Sequence, residues 1–415
     1  MEAGVPQGSV LGSVLWNISF DGVLEVANDD NNCSILCYAD DTLIVTTGND
    51  LTCTRIRACV MAQKVISWIS RLGLSVATDK TDAILFYGKG TENQPSHIVI
   101  KNVCIDFAAS IKYLGVYIDI KWTFSDHFSY IVNKASRVIR ALNRLMPNLR
   151  GPDENRRTLF ANVILSVLHY GAPVWGDKLL SSQRQTALNS LMRSVAQRVI
   201  SSYRTVSGNA VFLLARIPTL RFLAPMRKRT FEQFKRLKED GEYTREARNA
   251  IKEAQHLNMC ELWRGHLEKP NTPGEYTKMA IVPRLEKWLE RKHGSMSFHL
   301  SQIMTGHGCF AKYLHRIGKR ADTSCDFCGK HDDAMHTLKE CPAWDLQRIS
   351  LRRKLGLQRD FIALGDIVDT VATSWDHWMA FSAFTEEIMR EKEDEKRRRE
   401  RARSTSPFIG DDDTG

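Results

Sequence analysis

The sequence predicts an α+β chain, and three observations carry that reading. Up to about residue 120, short β-branched and aromatic runs alternate with helix-period segments. Beyond that point strand signals nearly vanish and helical periods take over. Toward the C-terminal end, three cysteines and a histidine gather within 17 residues, Cys325 to Cys341. At 415 residues the chain has room for two or three domains. We place the segments at 1–120, 121–300, 301–350 and 351–415.

The first segment opens on a Gly/Pro turn, Gly4-Val5-Pro6-Gln7-Gly8-Ser9, which runs into an apolar helix through Val14, Leu15, Trp16, Ile18 and Phe20. Residues 33–46 read as a β-hairpin with acids at its tip. Residues 51–72 carry Ile56, Val60, Val65, Ile66 and Ile69 at helical spacing, with Gly73 as the stop. Strands are expected over Ala83–Tyr87 and Tyr113–Ile118. After Asp119 come a basic amphipathic helix over 125–146, a helix opened by Pro152, and helices over 183–200 and 225–257. Residues 384–403 read as a solvated charged helix, ahead of a disordered acidic tail, Asp411 to Gly415.

With 43% hydrophobic and 26% charged residues the chain is globular in composition. No apolar stretch approaches the roughly 20 residues of a membrane span, and no secretory leader is expected. Ten cysteines without a disulfide-framework spacing point to a reducing compartment, where clustered cysteines hold metal. Residues 1–120 hold 8 Lys/Arg against 13 Asp/Glu, residues 121–320 hold 35 against 15, and residues 321–415 hold 15 against 20. A basic block following an acidic one is the footprint of a phosphate-backbone binder. Its bland counterpart is a solvated helical surface.

The adjacent acids Asp40 and Asp41, in Tyr38-Ala39-Asp40-Asp41, carry the sharpest chemistry. Successive strand residues face opposite ways, so a turn is needed to aim both carboxylates at one place. Acids so aimed repel unless a cation joins them. Oxygen-only ligands suit Mg²⁺ with substrate phosphates, which points to phosphoryl transfer. The second cluster, Cys325, Cys328, His336 and Cys341, has the spacing C-x2-C-x7-H-x4-C, which suits tetrahedral Zn²⁺. His331 is the rival to His336. Phe327 and Trp344 would form an apolar lid or a base-stacking surface. His307 and Cys309, without spaced partners, read as structural, and Trp263, Trp288, Phe298 and Phe310 as core.

The turn Gly4-x-Pro6-Gln7-Gly8-Ser9-x-Leu11-Gly12, followed by Tyr38-Ala39-Asp40-Asp41, resembles the reverse transcriptase palm of non-LTR retrotransposons. Gly73-Leu74 to Lys80-Thr81 and Lys112-Tyr113-Leu114-Gly115-Val116 resemble two further motifs of that family. The Cys/His spacing resembles its C-terminal zinc knuckle. Arg204-Thr205-Val206-Ser207, Pro273-Gly274-Glu275-Tyr276-Thr277, Trp288 to Gly294, and Leu300 to Phe310 look like the arthropod type-1 elements that insert into ribosomal RNA genes. Ser13 departs from the family, which often has proline there.

The resemblance implies a partial palm, a helical thumb rich in Arg137, Arg140, Arg144 and Arg150, and a zinc knuckle. It implies RNA-directed DNA polymerisation by two-metal chemistry. Asp40 would be the principal Mg²⁺ ligand and Asp41 a weaker one. Pro6, Gln7 and Gly8 would form a turn against template and nucleotide. Lys80 would act on the leaving pyrophosphate or be an ordinary surface lysine. Tyr38 would sit beneath the primer end or in the core. The implied partners are element RNA, a DNA primer at a chromosomal target (ribosomal RNA genes) and deoxynucleoside triphosphates, and the implied location is the nucleus. The family's first catalytic aspartate precedes the Pro-Gln-Gly turn, so a third carboxylate and an upstream endonuclease are expected outside this sequence, and the chain alone is expected not to polymerise. The alternatives are a non-catalytic nucleic-acid-binding module, built on the basic helices and the knuckle, and a group II intron maturase-like polymerase, against which the knuckle speaks.

Overall fold

The structure, a computed structural model, describes residues 8–28, 30–88, 96–147, 151–179, 182–357 and 363–405. Pro6, Gln7, Arg150 and the acidic tail lie outside the described residues. The chain divides into two compact units, residues 1–129 and 130–415, and the division falls inside one helix, Ser125–Asn143.

The first unit orders helix α1 (Gly12–Phe20), hairpin β1 (Cys33–Tyr38) and β2 (Asp41–Thr46), helix α2 (Leu51–Arg71), hairpin β3 (His97–Ile100) and β4 (Val103–Asp106), and hairpin β5 (Ser110–Tyr113) and β6 (Val116–Asp119). Each sheet is a separate antiparallel pair. Helix α2 organises the unit. Met61, Ala62, Val65, Ile66 and Ile69 form one buried stripe at helical spacing. Ala62 and Ile66 pack with Ile98, Ile100 and Ile105 of the β3–β4 hairpin, while Val65 and Ile69 pack with Phe20 and Val23. Ile44 of β2 packs against both clusters, so α2 anchors the β1–β2 hairpin.

Two expectations need correction here. Ala83–Tyr87 is not a strand: the segment makes one isolated bridge, Ala83 to Phe107, because Ala83 fills a place in the α2 core rather than an edge of a sheet. Tyr113–Ile118 is not one strand but the turn of β5–β6. Leu114 and Gly115 both take positive φ, 45° and 83°, the backbone of a two-residue hairpin loop. The β3–β4 hairpin was not anticipated at all. Its loop, Lys101-Asn102, also has positive φ at both residues, 48° and 61°.

The second unit is helical throughout its described length. Its long members include Glu154–His169, Ser182–Val199, Leu220–Glu239, Arg245–Leu267 and Trp375–Thr405. The helix expected over 225–257 is two helices, broken at Gly241 (φ 74°). Residues 384–403 are not simply a solvated helix. The helix Trp375–Thr405 buries Trp378, Phe381, Phe384, Ile388, Met389 and even Lys392, and turns polar only after them. Trp263, Trp288 and Phe310 are fully buried and Phe298 is half-buried. Arg137, Arg140 and Arg144 are exposed. Among the described residues no single helix is long and apolar enough to cross a membrane.

Candidate nucleic-acid polymerase site and metal centre

In the first unit the register pairs Tyr38 with Asp41, leaving Ala39 and Asp40 as a two-residue loop. Ala39 has φ 52°, a left-handed conformation that costs a non-glycine residue free energy and recurs at functional turns. Asp40 and Asp41 are both exposed at the hairpin end. Neither carboxylate makes an ion pair or a side-chain hydrogen bond among the described residues, so both are open to a cation. No third acid joins them among the described residues.

The turn is held from outside. The Trp16 indole Nε1–H of α1 donates to the Ala39 carbonyl at 3.0 Å, and Trp16 stacks on Phe20 at 5.0 Å. Phe20 in turn meets Trp68 of α2 edge-on at 5.7 Å. On another side, burial pushes the Tyr113 hydroxyl up, and the negative charge of Asp41 pushes it further. Trp16 and Tyr113 were not singled out as site residues. The i, i+4 spacing of Trp16 and Phe20 was the available signal for the first, and the motif Lys112-Tyr113-Leu114-Gly115-Val116 for the second.

Tyr38 is 67% exposed, which sets aside its core reading. Its strand neighbours Ile35 and Cys37 point inward instead. Gly8 is exposed with φ 85°, and a Cβ there would meet nothing within 4 Å. Lys80 ends a short 3₁₀ turn, Thr78–Lys80, and is exposed. No contact among the described residues joins it to the acid pair.

In the second unit the ligand atoms of Cys325, Cys328, His336 and Cys341 all lie within 4.8 Å of one another. The Cys325 and Cys341 sulfurs are 3.8 Å apart, and the Cys328 sulfur is 3.2 Å from His336 Nε2. Two thiolates on one tetrahedral zinc, each at about 2.3 Å, would stand about 3.8 Å apart. His336 Nε2 faces the sulfurs. Its buried Nδ1 has no hydrogen-bond partner, and Glu340 lies 3.8 Å away, where it can orient the ring. His331 turns away: its Nδ1 pairs with Thr323 Oγ1 at 3.1 Å and the ring is exposed. The Cys341 thiol, hydrogen-bonded to Cys325, pulls the Cys325 thiol far below its ordinary range; burial opposes this, and the Phe327 and Cys328 backbone N–H groups reinforce it. The donor set therefore fits a thiophilic divalent ion.

The module does not stand alone. Lys392, from the helix Trp375–Thr405, donates to Asp332 at 2.7 Å with both side chains about 4% exposed. The other oxygen of Asp332 accepts the Ala311 N–H at 2.8 Å. Asp333 caps the next helix by accepting the His336 N–H at 2.9 Å. Arg320 and Arg399 both pair with Asp326, inside the first cysteine pair. Trp344 is buried and packs on the more exposed Phe327 ring at 4.8 Å.

Residues 1–118 match the family described as "Reverse transcriptase (RNA-dependent DNA polymerase)". The chain is 25% identical over 396 residues to the "Putative 115 kDa protein in type-1 retrotransposable element R1DM" of Drosophila melanogaster, covering 93% of this chain and 38% of that protein. It is 25% identical over 355 residues to the "Retrovirus-related Pol polyprotein from type-1 retrotransposable element R1" of Bradysia coprophila, covering 82% and 35%. A Nasonia vitripennis polyprotein from "type-1 retrotransposable element R1 2" is 24% identical over 360 residues, covering 82% and 86%. The chain thus spans little more than a third of the first two relatives. No solved structure matches it. Residues 1–118 thus resemble a reverse transcriptase, and the chain as a whole is similar to the Pol polyproteins of type-1 retrotransposable elements.

Proposed function

We propose that the first unit is part of the palm of an RNA-directed DNA polymerase that extends a DNA primer along element RNA at a nicked chromosomal site. The observation that carries this reading is the open pair Asp40–Asp41 on a hairpin end braced by Trp16. Asp40, in the loop, is the principal holder of Mg²⁺, and Asp41, at the start of β2, the weaker one. Bound Mg²⁺ supplies charge neutralisation at the attacking primer 3′-hydroxyl and the departing pyrophosphate. Trp16 fixes where the loop carbonyl and its neighbouring carboxylate lie. Tyr38, exposed on the outer face of β1, offers a ring to the primer end. Gly8, with Pro6 and Gln7, permits close approach of backbone to the template–nucleotide pair. Lys80 serves the pyrophosphate.

On two carboxylates this chain does not extend a primer unaided. The exposed Arg137, Arg140 and Arg144 track the template–primer backbone with a steep salt dependence. Cys325, Cys328, His336 and Cys341 hold one Zn²⁺. Ribosomal RNA genes as target, and the nucleus as place of work, are part of this proposal and rest on the resemblance to type-1 elements alone.

The test is primer extension on an RNA template by a complete Pol polyprotein that includes this chain. Asp40→Asn should abolish extension and leave RNA binding intact. Extension indifferent to Asp40 would refute the polymerase reading and leave a nucleic-acid-binding module.

A further inference from the structure

A cleft of about 710 Å³ opens in the second unit, within the roughly 300–1,000 Å³ range of small-ligand sites. Three segments far apart in sequence form it: Thr205–Ser207, Pro273–Thr277 and Thr305–His307. Two further walls are Lys312–Ile317 and Asp333–Met335, the latter immediately before the candidate metal ligand His336.

One side of the cleft is a fixed aromatic platform. The His307 ring stacks on Tyr313 at 4.8 Å and 26°. The Thr205 hydroxyl oxygen ties the two together, 3.1 Å from His307 Nδ1 and 2.8 Å from the Tyr313 hydroxyl. Arg316 lies 5.3 Å from the Tyr313 ring centre, and its Nη2 is 2.9 Å from His307 Nε2. A guanidinium only donates, so Nε2 must accept and the proton sits on Nδ1, directed at Thr205. Burial, then the Arg316 charge, lowers the His307 pKa to about 4, which keeps the ring neutral as this arrangement requires.

The charges of the cleft leave one remainder. Asp333 is paired with Lys312 at 3.1 Å and Glu275 with Lys278 at 2.9 Å. Arg316 has no carboxylate partner among the described residues, although its guanidinium is already oriented by His307 and Tyr313. Tyr276, which lines the cleft, also carries an unmet polar group. The Tyr276 hydroxyl is buried without a hydrogen-bond partner, an arrangement native interiors rarely leave standing.

A planar apolar platform, an oriented and uncompensated cation, and an orphaned hydroxyl together match one chemical class. We propose that this cleft takes a single unstacked nucleotide of single-stranded nucleic acid, its base against the half-buried His307 ring, which the buried Tyr313 ring backs, its phosphate at Arg316 and a polar edge at the Tyr276 hydroxyl. Bases stack on such platforms with little regard to sequence. The proposal rests on the reading of this chain as a nucleic-acid-handling protein. It adds a holding point outside the acid-pair site, with one wall built by the metal module.

The experiment uses the full chain and short single-stranded oligonucleotides carrying one photoreactive halogenated pyrimidine, in DNA and in RNA form. Cross-links are mapped by mass spectrometry and affinity is read by fluorescence anisotropy. Cross-links should fall on Tyr276, His307 or Tyr313. Arg316→Ala, at an exposed position, and Tyr276→Phe, nearly isosteric, should each remove them. Each should weaken binding by roughly five- to tenfold, as should an abasic residue at the photoreactive position. The DNA and RNA arms show which strand is held. Asp40→Asn should leave these cross-links unchanged, so loss of extension with cross-links retained bears on the polymerase reading only. Cross-links confined to other segments, affinity indifferent to both cleft variants, or displacement by a peptide but not by an oligonucleotide would each overturn the proposal.

Discussion

Replacing His299 by glutamine should remove most of the alkaline pH dependence of the second unit's stability. His299 sits on the helix Phe298–Thr305 with Nδ1 2.6 Å from Glu386 and Nε2 3.3 Å from Glu393, two acids two turns apart on the helix Trp375–Thr405. Burial disfavours the imidazolium, but hydrogen bonds to both carboxylates outweigh it and push the pKa up to about 9. The folded value lies above the ordinary 6.5, so the stabilisation is fully present below about pH 6.5 and fades as pH climbs through about 9. Glu386 and Glu393 are shifted downward, so their share is lost only in acid, outside this window. Burial raises Cys309, next to Glu393, to about 11, so it stays protonated across the window. A rise from 6.5 to about 9 is worth at most about 3 kcal/mol at about 1.4 kcal/mol per tenfold. Arg390 and Arg397 compete for the same acids, and we expect about 2 kcal/mol. At about 2–4 °C per kcal/mol for a unit of this size, the wild-type Tm should fall by roughly 4–8 °C between pH 6.5 and 9. The calorimetric curves of His299→Gln should nearly coincide over that interval. An equal fall in the variant, or none in the wild type, would refute the reasoning.

Other outcomes follow from the same geometry. Lys392→Met should destabilise the second unit by about 3–5 kcal/mol by leaving Asp332 buried and unpaired, while Lys392→Met with Asp332→Leu should recover much of that loss in thermal melts. Stoichiometric zinc should bind the chain and be lost in His336→Ala but not in His331→Ala, as measured by metal analysis after dialysis. Trp16→Phe should keep the ring stack and delete one hydrogen bond, lowering unfolding stability by about 1 kcal/mol; retained stability would show that the Ala39 turn holds itself. Gly294→Ala should be costly, because its φ of 75° is left-handed and a Cβ there would come within 2.2 Å of the Trp378 ring; we expect about 2 kcal/mol or more in denaturant melts.

The acid hairpin and the Cys/His group were legible because their signals are local. A period-two apolar run around two acids needs no distant partner to fold as it does, and metal-ligand spacing is itself a short-range geometric code. Helix α2 was readable for the same reason, through its buried stripe. The β3–β4 hairpin escaped notice although Lys101-Asn102 is a plausible left-handed turn between alternating runs. Ala83 misled in the opposite direction, its apolar neighbours suggesting a strand where the backbone only brushes Phe107. What the sequence could not show is long-range pairing. Lys392 looked like one more charge in a solvated helix, yet it reaches Asp332 across 60 residues. Tyr276 and His307 lay within segments quoted only for their likeness to a family, and nothing in either segment announces that they share a cleft.

The buried clasp between Lys392 and Asp332 changes how the Cys/His group should be regarded as a part. Its spacing suggests a cassette that could be excised, expressed as a peptide or traded between elements. In this fold the cassette is closed by a helix that begins more than thirty residues after its last cysteine. A cut anywhere between Leu357 and Trp375 would strip the counter-charge from Asp332 and leave the neighbouring turn around Asp326 short of Arg399. Deletions that trim the C-terminal helix should therefore register in metal binding by the Cys/His group, and a swap between elements should succeed only when that helix travels with the four candidate ligands.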